Sequence, residues 1–147
     1  MTVRIHVPAD SAAASVGADQ VAGRLATEIA RAGLDARIVR TGSRGLFWLE
    51  PMIEVETAGG PIAYGPVAPA DIPGLIAAGL IDGGAHPLRL GPTDAIPYLA
   101  RQERLTFARC GAIDPVSVED YRARGGFKGL ERALAMTPVA IVEEITA

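Results

Sequence analysis

Met52-Ile53-Glu54-Val55-Glu56-Thr57 and Ile62-Ala63-Tyr64-Gly65-Pro66-Val67 flank the turn sequence Ala58-Gly59-Gly60-Pro61, and this stretch decides the fold. In the first run Ile53, Val55 and Thr57 alternate with Met52, Glu54 and Glu56, the period of a strand with one buried face. Two such runs around a Gly-Gly-Pro turn read as a hairpin. Upstream, Ala36 to Thr41 reads as another strand. Before it, Gly17 to Leu34 carries Val21, Leu25 and Ile29 at a spacing of four, flanked by Ala22, Ala26 and Ala30, with Gly33 as a stop. That pattern is an amphipathic helix. Val3 to Val7 places Val3, Ile5 and Val7 on one face of a first strand. Downstream of the hairpin, Asp71 is placed to cap a short helix, Ile72 to Ala78, with Pro73 in its first turn.

The resulting order, β-α-β-β-β-α, is that of an α/β thioredoxin-like domain whose second helix is replaced by a loop, residues 42–51. The texture changes near residue 81. Gly83-Gly84-Ala85-His86-Pro87 and Gly91-Pro92 read as a loop-rich linker. Helices without strands are expected beyond it. Thr93 caps one running to about Arg109. Ser117 caps the next, with Asp120 at the capping-box position and Gly125-Gly126 as its stop. Phe127 to Met136 follows, and Thr137-Pro138 opens a last helix, Val139 to Ala147. These readings divide the chain into a thioredoxin-like unit, residues 1–82, and a helical lead-in, residues 83–147. The last helix has no stop signal, so the natural sequence is expected to continue.

Composition sets the class. The chain has 147 residues, 49% of them hydrophobic and 21% charged, enough for one folded domain and against global disorder. A net charge of -3 and a pI near 5.4 argue against nucleic acid or an anionic membrane as partner. The N-terminus lacks a signal-peptide core, and no apolar run reaches bilayer length. One cysteine, Cys110, excludes an internal disulfide, a CxxC redox pair and a four-thiolate iron site. A cytoplasmic setting is the expectation.

No residue group composes a catalytic constellation. Cys110 reads as a small buried hydrophobe rather than a reactive thiol. His6 and His86 stand far apart without Cys or His neighbours, poor metal ligands. Ser11 and Ser43 lack a GxSxG context. Gly42-Ser43-Arg44-Gly45 and Gly125-Gly126-Phe127-Lys128-Gly129 match neither GxGxxG nor a P-loop. Glu54 and Glu56 read as a solvated sheet face. Trp48 is expected to pack a loop against the core or a partner.

Longer strings are more informative. Arg104-Leu105-Thr106-Phe107-Ala108-Arg109-Cys110-Gly111-Ala112-Ile113-Asp114-Pro115-Val116-Ser117-Val118-Glu119-Asp120-Tyr121 resembles the lead-in of the flavin-binding subunit of NADH dehydrogenases. Gly125-Gly126-Phe127, Leu130, Ala133-Leu134, Met136-Thr137-Pro138 and Ile141-Val142 continue that resemblance in order and spacing. The family includes the 51-kDa-type subunit of complex I, the diaphorase subunit of NAD-reducing hydrogenases and the beta subunit of soluble NAD-dependent formate dehydrogenase. Gly42-Ser43-Arg44-Gly45-Leu46-Phe47-Trp48-Leu49-Glu50-Pro51, Ile53-Glu54-Val55 and Ala63-Tyr64-Gly65-Pro66-Val67 are most similar to the formate dehydrogenase version.

The resemblance implies a thioredoxin-like domain that in many relatives holds a 2Fe-2S cluster on four cysteines. Ser43 and Phe47 stand at two of those positions. The other pair would fall between Asp10 and Ser15, where there is no cysteine. The expectation is therefore a cluster-free scaffold, not catalytic by itself and with no catalytic, cofactor or metal residue of its own. The parent subunit is implied to use FMN, NAD and a 4Fe-4S cluster. The implied partners are a 2Fe-2S gamma subunit and a molybdenum- or tungsten-containing alpha subunit. The flavin-binding Gly-Arg-Gly-Gly motif is expected beyond Ala147. Rival readings are the diaphorase subunit of a hydrogenase or complex-I-like enzyme, and a non-catalytic thioredoxin-like adaptor.

Overall fold

A computed structural model describes residues 2–147. Five strands form one sheet in the order β2-β1-β3-β4-β5. They are β1 (Val3–Pro8), β2 (Ala36–Thr41), β3 (Ile53–Thr57), β4 (Gly60–Tyr64) and β5 (Arg89–Pro92). β1 and β2 run parallel, which requires a crossover, and the other neighbours are antiparallel. The crossover contains α1 (Ser11–Ser15) and α2 (Ala18–Ala32). The α2 bounds fall just inside the expected Gly17–Leu34, with Gly17 and Gly33 as its two caps.

Alternation along the strands gives the sheet two unlike faces. Ile5, Val7, Ile53, Val55, Ile62 and Tyr64 point to one face and pack on Val21, Leu25 and Ile29 of α2. Ile72 and Leu75 of α3 (Ile72–Ala77) complete that core. The second face is divided. Its apolar part joins Met52 and Ala63 to Leu46, Ile96 and Leu99. Its polar part carries Arg4, His6, Glu54 and Glu56.

The loop at residues 42–51 replaces a helix, as expected, and contains one 3-10 turn, Phe47–Leu49. It lies tightly on the end of β4: a Cβ added to Gly65 would sit 2.6 Å from the Leu49 carbonyl oxygen. Backbone there cannot yield as a flexible side chain would, so glycine is required.

Several local expectations are corrected. α1 was not anticipated; Asp10 caps it by accepting from the Ala12 and Ala13 N–H groups. Asp71 does not cap α3, because its carboxylate accepts from the Ala68 N–H instead. β4 ends at Tyr64 rather than Val67. Gly91-Pro92 is not linker: Pro92 stands opposite Ile62 in β5, so the sheet runs past residue 82. Proline is tolerated there because β5 is an edge strand.

The largest departure is the helix expected from Thr93 to Arg109. It is a 3-10 turn at Thr93–Ala95 and one short turn, α4 (Pro97–Ala100), followed by irregular turns. Ile96 precedes a proline and is extended, with ψ 124, which interrupts the helix. Beyond it Leu105 and Phe107 are exposed, so no burial offsets the cost of nucleating a short helix.

The remaining helices form within one or two residues of their expected bounds. α5 (Val118–Ala123) is capped by Ser117, whose Oγ accepts from the Asp120 N–H. α6 is Lys128–Leu134, and α7 (Pro138–Thr146) is capped by Thr137. Among the described residues, no helix is long and apolar enough to cross a membrane.

Candidate functional site

Two groups of residues on and beside the second sheet face form the candidate site. The first is the loop that resembles an iron-binding loop. Ser43 Oγ donates to Glu50 Oε1 at 2.7 Å and accepts the Gly45 N–H at 2.9 Å. Glu50 Oε2 accepts the Met52 N–H at 2.9 Å. Burial pushes the Glu50 pKa up. The Ser43 and Met52 hydrogen bonds act against that, while the nearby Asp10 and Glu54 charges add to it.

Asp10 thus lies within electrostatic reach of Glu50. The Ala9 N–H also donates to the Thr41 carbonyl at 2.8 Å. These contacts, Ala9 with Thr41 and Asp10 with Glu50, lie at the borders of the two segments, residues 10–15 and 43–47, that the resemblance pairs as ligand-bearing. Neither contains a thiol. The Ser43 hydroxyl is spent on Glu50 and Gly45, and the Phe47 ring is 62% exposed. This donor set does not fit an iron–sulfur cluster.

The second group is a charge network. Arg44 Nε donates to Glu54 Oε1 at 2.9 Å and Nη2 to Glu54 Oε2 at 2.8 Å. This is a bidentate pair with both side chains largely buried, 13% and 5% exposed. Burial opposes the Arg44 charge, yet the Glu54 hydrogen bonds and charge outweigh it and raise its pKa. Gly111 lies directly on this guanidinium stem. A Cβ there would be 2.5 Å from Arg44 Cδ, and its φ of +81° itself disfavours side chains.

Next to the pair, His6 and Glu54 stand opposite each other across β1 and β3. His6 Nε2 lies 2.9 Å from Glu56 Oε1. A carboxylate only accepts, so Nε2 carries the proton. Burial lowers the His6 pKa, and the Glu56 hydrogen bond and the Glu56 and Glu54 charges compensate only in part. Burial thus favours the neutral imidazole at His6. Arg4 Nε and Arg124 Nη2 each approach Glu56 Oε1 to 3.7 Å. A cleft of about 450 Å³ opens here, lined by His6, Arg44, Glu54, Glu56, Asp94 and Arg124 among others.

The other sequence candidates are dispersed. The reading of Glu54 and Glu56 as a solvated face is corrected: Glu54 is 4% exposed and paired, because Arg44 folds back over it. Glu56 is half-exposed. Cys110 is a free, half-buried thiol near Arg44 rather than a core residue. Trp48 does not enter the core. It is 60% exposed, its ring edge-on to Tyr98 at 5.2 Å. The His86 ring packs locally, its Nδ1 accepting from the Leu88 N–H. No group of three or more His, Cys, Asp or Glu suited to a metal ion is found among the described residues. Sequence reasoning missed the Arg44–Glu54 pair and the use of Arg4. The alternation of β1 and β3 put Arg4, His6, Glu54 and Glu56 on one face, which was the available signal. Nothing in the sequence marks Arg44 as their partner.

No family model matches the chain. It is 44% identical over 43 residues to the NADP-reducing hydrogenase subunit HndC of Solidesulfovibrio fructosivorans. That match covers 29% of this chain and 9% of the relative, so the chain spans about a tenth of the relative's length. Among solved structures, the thioredoxin-like [2Fe-2S] ferredoxin of Aquifex aeolicus superposes with a TM-score of 0.51 at 19% identity. The superposition covers 61% of this chain and 97% of the ferredoxin. Its Cys55Ser variant matches at 21% identity with the same TM-score, covering 60% of this chain and 98% of that one. At this identity the likeness concerns the fold alone, and the fold is thioredoxin-like.

Two outcomes are expected. Glu54→Ala leaves a buried guanidinium unpaired and should destabilise the chain by about 3–5 kcal/mol in denaturant unfolding; a loss below about 1 kcal/mol would show that Arg44 finds water instead. For Glu50 the folded pKa is raised, so folding favours the protonated form. Its stabilising contribution is full below the ordinary value of 4.5 and is lost as pH rises through the folded value. The Tm advantage of Glu50→Gln over wild type should therefore grow as pH rises above 4.5. An advantage that is flat or shrinking with pH would contradict the assignment.

Proposed function

We propose that the chain is a cluster-free docking domain of a diaphorase-type electron-transfer subunit, in an NAD-linked formate dehydrogenase of the cytoplasm. The observation that carries this is the local 44% identity to a hydrogenase subunit, in a chain whose fold is that of thioredoxin-like [2Fe-2S] ferredoxins. The formate dehydrogenase assignment rests on the Gly42–Pro51 string and the strings that follow it. In the parent, electrons from formate pass through iron–sulfur clusters and FMN to NAD. The cofactors supply that chemistry, and protein residues position them.

The residues of this chain do structural work in that scheme. Ser43, Glu50 and Arg44 close the loop by hydrogen bonds, without metal. The closed loop presents Phe47 and Trp48, with Tyr98 beside them, as an exposed aromatic surface. Such residues serve as interface anchors. The partners this surface would take are the 2Fe-2S gamma subunit and the molybdenum- or tungsten-containing alpha subunit. The match to a hydrogenase subunit favours a second reading, the corresponding subunit of an NAD(P)-reducing hydrogenase.

The test is purification of the natural complex through a tag on this subunit, followed by assay of NAD reduction with formate and with hydrogen. Formate-driven reduction, with molybdenum or tungsten in the complex, is the expected result. Hydrogen-driven reduction alone would select the second reading. A complex with neither activity would leave only the non-catalytic adaptor.

A further inference from the structure

The loops and short helix between Arg101 and Gly126 cross the polar half of the second sheet face, and they are fastened there by charge. Asp120 Oδ2 accepts from Arg4 Nη2 of β1 at 2.7 Å. The same oxygen accepts the Asp114 N–H at 3.1 Å. The Asp114 N–H and the Arg4 guanidinium together hold the Asp120 pKa below the ordinary carboxylate value. Arg124 reaches Glu56 of β3, and Arg104 Nη2 donates to the Arg44 carbonyl at 3.1 Å. Within the segment, Arg109 donates to the Arg124 and Gly125 carbonyls. Its guanidinium lies over the Tyr121 ring at 4.9 Å, and Tyr121 is edge-on to Phe127. The segment is thus an internally bonded unit.

Apolar burial contributes little. Ile113 is the buried hydrophobic residue of this segment, whereas Leu105, Phe107 and Val116 are 81%, 62% and 88% exposed. Between the segment and the sheet lies the cleft lined by His6, Glu54 and Glu56 below and by Ala108, Gly111, Ala112 and Arg124 above. Apart from Gly111, which rests on the Arg44 stem, the interface is a cleft bordered by ion pairs, with little of the close packing that welds elements into one cooperative unit.

We infer that residues 101–126 form a strap, clasped to the sheet by Arg4–Asp120 and Arg124–Glu56, that opens as a unit while the thioredoxin-like core stays folded. Asp120 is the clasp. Its position, three residues after an N-capping serine, predicts a reach back to the Ser117 N–H. The structure turns the carboxylate toward β1 instead. Opening exposes the cleft floor of His6, Glu54, Glu56 and Arg44 without disturbing the α2 core on the opposite face.

Hydrogen exchange on the full chain tests this. Peptides from 101–126 are compared with peptides from β3 and β4, in wild type, Arg4→Met and Asp120→Asn. Both variants should exchange about tenfold faster in the strap, with β3 and β4 unchanged. Wild type in about 1 M salt, where the screening length is about 3 Å, should show the same pattern more weakly. The exposed Arg124–Glu56 contact is screened, and the mostly buried Arg4–Asp120 pair much less so. Strap exchange that responds to neither variant nor salt would overturn the proposal. So would β3 and β4 peptides that accelerate in step with the strap. The salt arm needs no substitution, so it decides the matter even if a variant fails to fold.

Discussion

The Glu54 carboxylate sits on a sheet strand between buried His6 and Ala63 of the adjacent strands, and the structure depends on how that charge is met. An ionised carboxylate without a partner cannot be buried. Arg44 supplies both hydrogen bonds side-on, and to do so the chain must fold back from β2 across the second sheet face. The loop at 42–51 therefore lies against the sheet rather than projecting. Once Arg44 is fixed, its carbonyl receives Arg104, its stem receives Gly111, and the irregular segment after α4 acquires its path. One ion pair thus organises chain that apolar burial leaves largely unsecured. Its value is chiefly specificity of path, since a buried pair yields little net stability yet is costly to break.

The two sheet faces were not equally legible in the sequence. The face packed by α2 and α3 could be read because period 2 in β1, β3 and β4 and the four-residue spacing of Val21, Leu25 and Ile29 all point the same way. The caps at Ser117 and Thr137 were readable for the same reason: they are local. The second face could not be read, because its cover is a loop and an irregular segment with no period. Glu54 shows the limit. Alternation placed it correctly on the face opposite the core, and solvent was the default inference. Only the tertiary position of Arg44 makes that face buried. The expected Thr93–Arg109 helix failed on Pro97 and on the lack of anything to bury Leu105 and Phe107. β5 was hidden because an edge strand of Arg89-Leu90-Gly91-Pro92 has little strand character.

The candidate site joins a thioredoxin-like fold to a loop closed by protein hydrogen bonds. The thioredoxin-like ferredoxins that this chain superposes on are [2Fe-2S] proteins. Here Asp10 caps α1 within its own segment, and Ser43 bonds to Glu50 and to the Gly45 backbone, closing the loop with protein groups alone. The loop so closed carries the exposed rings of Phe47 and Trp48, with Tyr98 edge-on to Trp48. The charged segment on the other half of the same face meets this loop at Arg44, through Arg104 and Gly111.

In the proposed reading, protein hydrogen bonds rather than iron hold this loop. Iron and acid-labile sulfide measured per chain, after anaerobic purification and reconstitution with ferrous iron and sulfide, test it most directly. Neither ion in stoichiometric amount, and no visible absorbance between roughly 350 and 500 nm, is the expected result. Two irons and two sulfides bound per chain, with that absorbance, would contradict it.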